Sequence, residues 1–131
     1  MIVLLVEDGI SDRALILSCI EAVPNISVLF SRTIEDARAM MPDADLAVVD
    51  LNLPDGDGVA LSEADGCPVI YMSGDQLGRL LEVSEATGSA ALPKSENGYR
   101  LLLATIRRCC QQQAEERRTV GLLELEKKIF P

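Results

Sequence analysis

Five short apolar runs alternate with stretches of helical spacing, and this alternation restricts the fold more than any other feature of the chain. The runs are residues 2–6, 26–30, 46–50, 68–72 and 89–92. Each is too short for a helix and is bounded by turn residues, so each reads as a buried strand. Helical patterns between strands predict crossover connections, a parallel sheet and helices on both of its faces. Right-handed crossovers leave few topologies. The chain has 131 residues, enough for one domain with one core.

The helices follow from start and stop signals. Residues 10–23 read as a helix with Gly9 or Ser11 near its start, broken by Pro24 and Asn25. Thr33 is the expected N-cap of a second helix ending near Met41, where Pro42 and Asp43 close it. Residues 58–65 have room only for a short helix. Residues 76–87 form the next, stopped by Gly88. From Glu96 or Asn97 the pattern is helical to at least Gln113. Pro93 cannot donate to a ladder, so the fifth strand should lie at an edge or end before it.

Charge is unevenly spread. The net charge is -9; residues 1–106 hold 17 acidic and 6 basic side chains, residues 107–131 hold 4 and 6. The main body is therefore unsuited to phosphate backbones and suited to holding a cation. Aromatic residues make up 3% of the chain, with no Trp, which disfavours a base-stacking surface. There is no His, which excludes Ser-His-Asp and Cys-His catalysis. The cysteines at 19, 67, 109 and 110 lack metal-ligand spacing and read as small apolar residues in a reducing compartment. No apolar run approaches the ~20 residues of a membrane span. No basic region precedes the first apolar run, so a cytoplasmic location is expected.

In open parallel sheets, ligands bind beyond the carboxyl ends of the strands. The first strand ends at Glu7 and Asp8, the third at Asp50, the fourth at Ser73 and the fifth at Lys94. An aspartate after a strand is often only a turn or cap residue, as Ser73 before a helix can be. Together, three carboxylates, a hydroxyl and an ammonium on one sheet edge form a specific set. The carboxylates repel and raise each other's pKa. A hard divalent cation, Mg²⁺ or Mn²⁺ in its place, relieves this while keeping sites for water and phosphate oxygens. Such a site suits phosphoryl transfer, in which positioning and charge neutralisation do most of the catalysis. Asp50 is then the nucleophile that forms an aspartyl phosphate. Lys94 pairs with one phosphoryl oxygen and Ser73 donates to another.

These residues resemble the receiver domain of two-component response regulators. The resemblance rests on Val6-Glu7-Asp8, on Asp50 with Pro54 and Gly58 behind it, on Ser73-Gly74 and on Lys94, and it covers about residues 1–115. It implies a flavodoxin-like (βα)5 sandwich with strand order 2-1-3-4-5, and leaves 116–131 as a helical extension or linker. It implies a metal held by Asp8, Asp50 and the Asn52 carbonyl, with Glu7 assisting through water. It implies transfer from a histidine kinase or histidine phosphotransfer protein, signalling to an unknown downstream protein, and no catalysis beyond the domain's own phosphorylation and dephosphorylation. Direct nucleic-acid or membrane contact is not expected. Ser95 follows Lys94 where the family usually has a cis proline, so a trans bond is expected there. Ala91 stands where the family usually has an aromatic switch residue. Two other readings are a haloacid-dehalogenase-like phosphatase and a binding-only pseudo-receiver. The first needs an acid two residues after the nucleophile, where this chain has Asn52; the second is disfavoured by the complete residue set.

Two surfaces invite partners. In the first helix Ile16, Ile20 and Val23 follow a core stripe, leaving Leu17 and Ala14 for a phosphoryl donor. At the C-terminus, Ile106, Cys109, Gln113, Glu116, Val120 and Leu123 step by three and four. Leu122, Leu123, Leu125 and Ile129 add an apolar patch, and a weak homodimer is expected.

Overall fold

A computed structural model describes residues 1–74 and 77–130. Five parallel strands make one sheet: β1 (Ile2–Val6), β2 (Ser27–Ser31), β3 (Leu46–Asp50), β4 (Val69–Ser73) and β5 (Ala91–Pro93). Their order is β2-β1-β3-β4-β5, the order expected. The four larger helices are α1 (Ile10–Glu21), α2 (Ile34–Met40), α3 (Leu77–Thr87) and α4 (Glu96–Ile129). The fold is a flavodoxin-like α/β sandwich.

Alternation along the strands divides the core in two. Leu4, Val6, Val49 and Tyr71 point to the side covered by α2 and α3. Val3, Leu5, Val48, Ile70 and Met72 point to the side covered by α1 and α4. All five residues of β3 and of β4 are buried, as befits strands inside a parallel sheet. Tyr71 is fully buried, and its hydroxyl donates to the Leu61 carbonyl at 2.6 Å.

Several boundaries move. The second strand is 27–31 rather than 26–30, because its register pairs Ile2 with Ser27 and Val6 with Ser31. The fifth is 91–93 rather than 89–92. It pairs only with β4, so Pro93 sits at the sheet edge where its missing N–H costs no bond. The short helix expected at 58–65 is two separate 3-10 turns, Gly58–Ala60 and Glu63–Asp65. Asp57 and Ser62 each cap one of them, so the segment stops and restarts. The helix expected from residue 76 is described from Leu77; residue 76 lies outside the described residues. No cis peptide bond occurs among the described residues, so Lys94–Ser95 is trans as expected.

The last helix is longer than its minimum reading. It runs unbroken through Gly121 for 34 residues. Leu102 and Ile106 are fully buried against the sheet, whereas every residue from Ala114 to Phe130 is exposed. Ile106 and half-buried Cys109 therefore serve the chain's own core and are unavailable to the self-association seam expected to start there. The four cysteines are free thiols, and burial pushes the Cys67 thiol up to about 11.

Candidate functional site at the carboxyl edge of the sheet

The crossovers deliver the carboxyl ends of β1, β3, β4 and β5 to one edge, and with them Glu7, Asp50, Ser73 and Lys94. Local geometry fixes each. Glu7 follows β1 and turns inward to 1% exposure, while Asp8 is exposed. Glu7 Oε1 accepts from the Gly9 N–H at 3.0 Å, which ties the strand end to the start of α1. Asp50, 5% exposed, accepts from the Asn52 N–H at 3.1 Å. The chain then turns back, and the Gly58 N–H donates to the Leu51 carbonyl at 2.8 Å. A Cβ on Gly58 would overlap the Asp50 carbonyl oxygen, so only glycine permits this close return.

Lys94 closes the edge from the far side. Its N–H donates to the Ser73 carbonyl at 2.9 Å, joining the ends of β4 and β5. Fully buried Ser73 is thus held beside the base of the Lys94 side chain. Ser95 caps α4 by accepting from the Gly98 N–H at 3.2 Å. A side chain on Gly98 would strike the Pro93 carbonyl, so the turn carrying Lys94 is packed tightly under the helix.

The ammonium of Lys94 lies 2.8 Å from Glu7 Oε2, 2.8 Å from Asp12 Oδ2 and 3.2 Å from Asp50 Oδ2. Its side chain is 10% exposed, so these charges meet in a nearly dry environment. Burial alone would push the Lys94 pKa down, but hydrogen bonds to Asp12 and Glu7 and the charge of Asp50 outweigh it and hold the pKa well above the usual lysine range. Glu7 goes the other way for a carboxyl. Burial raises its pKa, Lys94 and the Gly9 N–H oppose, and the nearby Asp50 charge raises it further.

Sequence reasoning placed Glu7, Asp8, Asp50, Ser73 and Lys94 at one edge, and all five sequence positions lie there. It missed Asp12. That residue sits in the first turn of α1, where acids are common for helix-dipole reasons. Its spacing from Asp8 carries no distinguishing signal. Glu7 also pairs directly with the Lys94 ammonium.

The residues present fit a divalent cation. One carboxylate oxygen from each of Glu7, Asp8 and Asp50 lies within 4.8 Å of the others. Glu7 Oε2 is buried without a hydrogen bond of good geometry, although Lys94 is close by. A hard cation with oxygen ligands would satisfy that atom and offset the repulsion. An open groove of about 900 Å³ lies elsewhere, between α2 and the turn after β3, and none of these residues lines it.

No protein-family model and no curated protein sequence matches the chain. Solved structures do. A signal receiver domain of a putative LuxO repressor protein from Vibrio parahaemolyticus aligns with TM-score 0.70 and 22% identity, covering 88% of this chain and 94% of that one. A CheY-like response regulator receiver domain protein from Methanospirillum hungatei aligns with TM-score 0.68 and 23% identity, covering 87% and 97%. The Mn²⁺-bound form of response regulator Rcp1 aligns with TM-score 0.64 and 20% identity, covering 79% and 89%. The fold is that of receiver domains.

Proposed function

We propose that this chain works as a receiver: a phosphoacceptor that takes a phosphoryl group onto Asp50 and signals by protein contact. The observation that carries this reading is the meeting of Glu7, Asp8 and Asp50 with the Lys94 ammonium at one edge of a receiver-type sheet. Glu7, Asp8 and Asp50, joined by the Asn52 carbonyl, would hold Mg²⁺ or Mn²⁺, which when bound neutralises charge on the transferring phosphoryl group. A Mn²⁺-bound neighbour of the same fold supports a divalent ion of this kind.

In the transfer, a carboxylate oxygen of Asp50 attacks phosphorus and forms the P–O bond. The P–N bond to the donor's phosphohistidine breaks, and the imidazole leaves with the electron pair and takes a proton. A carboxylate nucleophile needs no general base. Lys94 swings part of its hydrogen bonding from Glu7 and Asp12 to a phosphoryl oxygen, and Ser73 supplies a hydroxyl to another. The donor is a histidine kinase or a histidine phosphotransfer protein. Its docking face is the exposed side of α1, where Ile10, Arg13, Ala14 and Leu17 meet Phe30 of β2 around a shallow cavity of about 460 Å³. Leu17 is only half exposed there, so Ile10 at 74% and Phe30 at 42% carry more of that face than the residues singled out in the sequence.

Incubation with acetyl phosphate and Mg²⁺, read by intact mass, tests the proposal. One stable phosphoryl adduct is expected on the native chain, and none on Asp50→Asn or in EDTA. Undiminished labelling of Asp50→Asn overturns the assignment, and rapid release of free phosphate without an adduct points to a phosphatase.

A further inference from the structure

The C-terminal half of α4 stands clear of its own domain. The last cleft it shares with the domain joins Cys109, Gln112, Gln113 and Glu116 to Met1, Asp45, Leu46 and Pro68. From Glu116 to Ile129 the helix runs on for about 20 Å at 1.5 Å per residue, and Phe130 caps it. The stripe that docks on the sheet through Leu102, Ile106 and Cys109 continues off the edge as Gln113, Glu116, Val120, Leu123, Lys127 and Phe130. These steps alternate three and four, the spacing of a coiled-coil seam. Val120, Leu123 and Phe130 are 54%, 53% and 75% exposed, so the apolar part of the seam has no cover from the described residues.

The charges on that seam say what covers it. If a second copy ran parallel, Glu116 would face Glu116 and Lys127 would face Lys127. If it runs antiparallel about the midpoint between residues 121 and 122, the charged and apolar layers match. Val120 faces Leu123 of the second copy, Glu116 faces its Lys127, and Gln113 faces its Phe130. The symmetry repeats each layer, and on the flank Arg117 falls beside Glu124 of the second copy. Residues 114–130 hold four acidic and four basic side chains, so this segment is electrically balanced although the whole chain carries -9. A helix that can pair its acids with its bases only head to tail specifies direction as well as partner.

We propose that α4 pairs with α4 of a second copy in antiparallel register, placing the two sheet domains at opposite ends of a short two-stranded helix pair. The occupant of the seam is this same chain. The pairing is independent of any phosphoryl chemistry. Only two apolar layers are buried, and polar layers in a seam reduce stability while fixing register, so the association is weak and specific. Leu122, Leu125 and Ile129 lie outside the seam, where two such pairs could stack.

Charge exchange tests the register. Sedimentation of the full native chain at high micromolar concentration should show reversible dimers or pairs of dimers. Glu116→Lys alone and Lys127→Glu alone each turn two matched layers into like-charged ones, and should weaken association by about tenfold or more. Mixing the two variants restores a matched register, and the mixture should associate as the native chain does; the Glu116→Lys, Lys127→Glu double variant should do so by itself. Rescue on mixing also shows that both variants fold. In a parallel pair each single variant would keep like charges in both layers, as the native chain does, so it would associate no more weakly, and the mixture would bind more tightly than the native chain rather than equal it. The proposal is overturned if the native chain stays monomeric, if the single variants associate like the native chain, or if mixing restores nothing. It is equally overturned if the tail is taken up by anionic vesicles while the protein remains a monomer.

Discussion

Replacing Lys94 with Met removes the ammonium and keeps the apolar stem, so it isolates the charge. Glu7 and Asp50, whose side chains are 1% and 5% exposed, then face each other without a cation. Breaking a buried ion pair from one side costs ~3–5 kcal/mol. Asp12, 43% exposed, can turn to water, and the site can take up a proton, so the lower end, ~3 kcal/mol, applies. For a chain of this size that lowers the melting temperature by roughly 10 °C. The sign of the pH dependence follows. In the native protein the Lys94 contribution is fully present below the ordinary lysine pKa of about 10.4, so it is constant between pH 5 and 8. In the variant the buried Glu7 carboxyl loses the Lys94 ammonium that opposes its raised folded-state pKa, and the stability it contributes when protonated is lost as pH rises through that value. The gap between native and variant should therefore be small near pH 5 and full at pH 7.5. Mg²⁺ at a hundred times its dissociation constant should restore about 2.7 kcal/mol. Urea unfolding in EDTA at both pH values, repeated with Mg²⁺, measures this. Equal midpoints at pH 7.5, or a gap that widens toward pH 5, would refute the claim that Lys94 neutralises a dry carboxylate cluster.

Two other substitutions probe separate parts of the fold. Glu7→Gln keeps the acceptor for the Gly9 N–H and removes a carboxyl whose pKa burial raises. In EDTA the native chain holds that group's stability below the unfolded carboxyl value and loses it as pH rises through the raised folded value. The variant should gain on the native chain between pH 4 and 7, and its affinity for Mg²⁺ should fall; parallel stability curves would contradict the assignment. Tyr71→Phe strands the Leu61 carbonyl in the core and should cost about 1–3 kcal/mol by urea unfolding. A neutral effect would mean that the bond does not anchor the segment after β3.

Strand identity, sheet order and the shared edge were legible in the sequence because each depends on local or general rules. Apolar runs such as 46–50 mark buried strands by length and turn residues alone. The right-handed crossover then sends every strand end to one edge whatever the side chains are. That is why the sequence alone gathers Glu7, Asp8, Asp50, Ser73 and Lys94. Strand limits were less legible, since hydrogen bonding to a neighbour, not hydropathy, moved the second strand to 27–31 and drew Pro93 into the fifth.

What only the tertiary structure decided is which neighbouring groups share an environment. Glu7 and Asp8 are adjacent acids just past β1, yet one is buried against the Lys94 ammonium and the other is exposed. Asp12 looks like any acid in a first helical turn until α1 packs on the sheet and lays it against Lys94. The heptad-like stripe of α4 reads as one seam from Ile106 to Leu123, but packing divides it: the sheet ends near Glu116, so the domain takes the first half and the second is left to solvent. Periodicity along one chain encodes a face; what that face meets depends on where the neighbouring elements stop, and that is set by the fold.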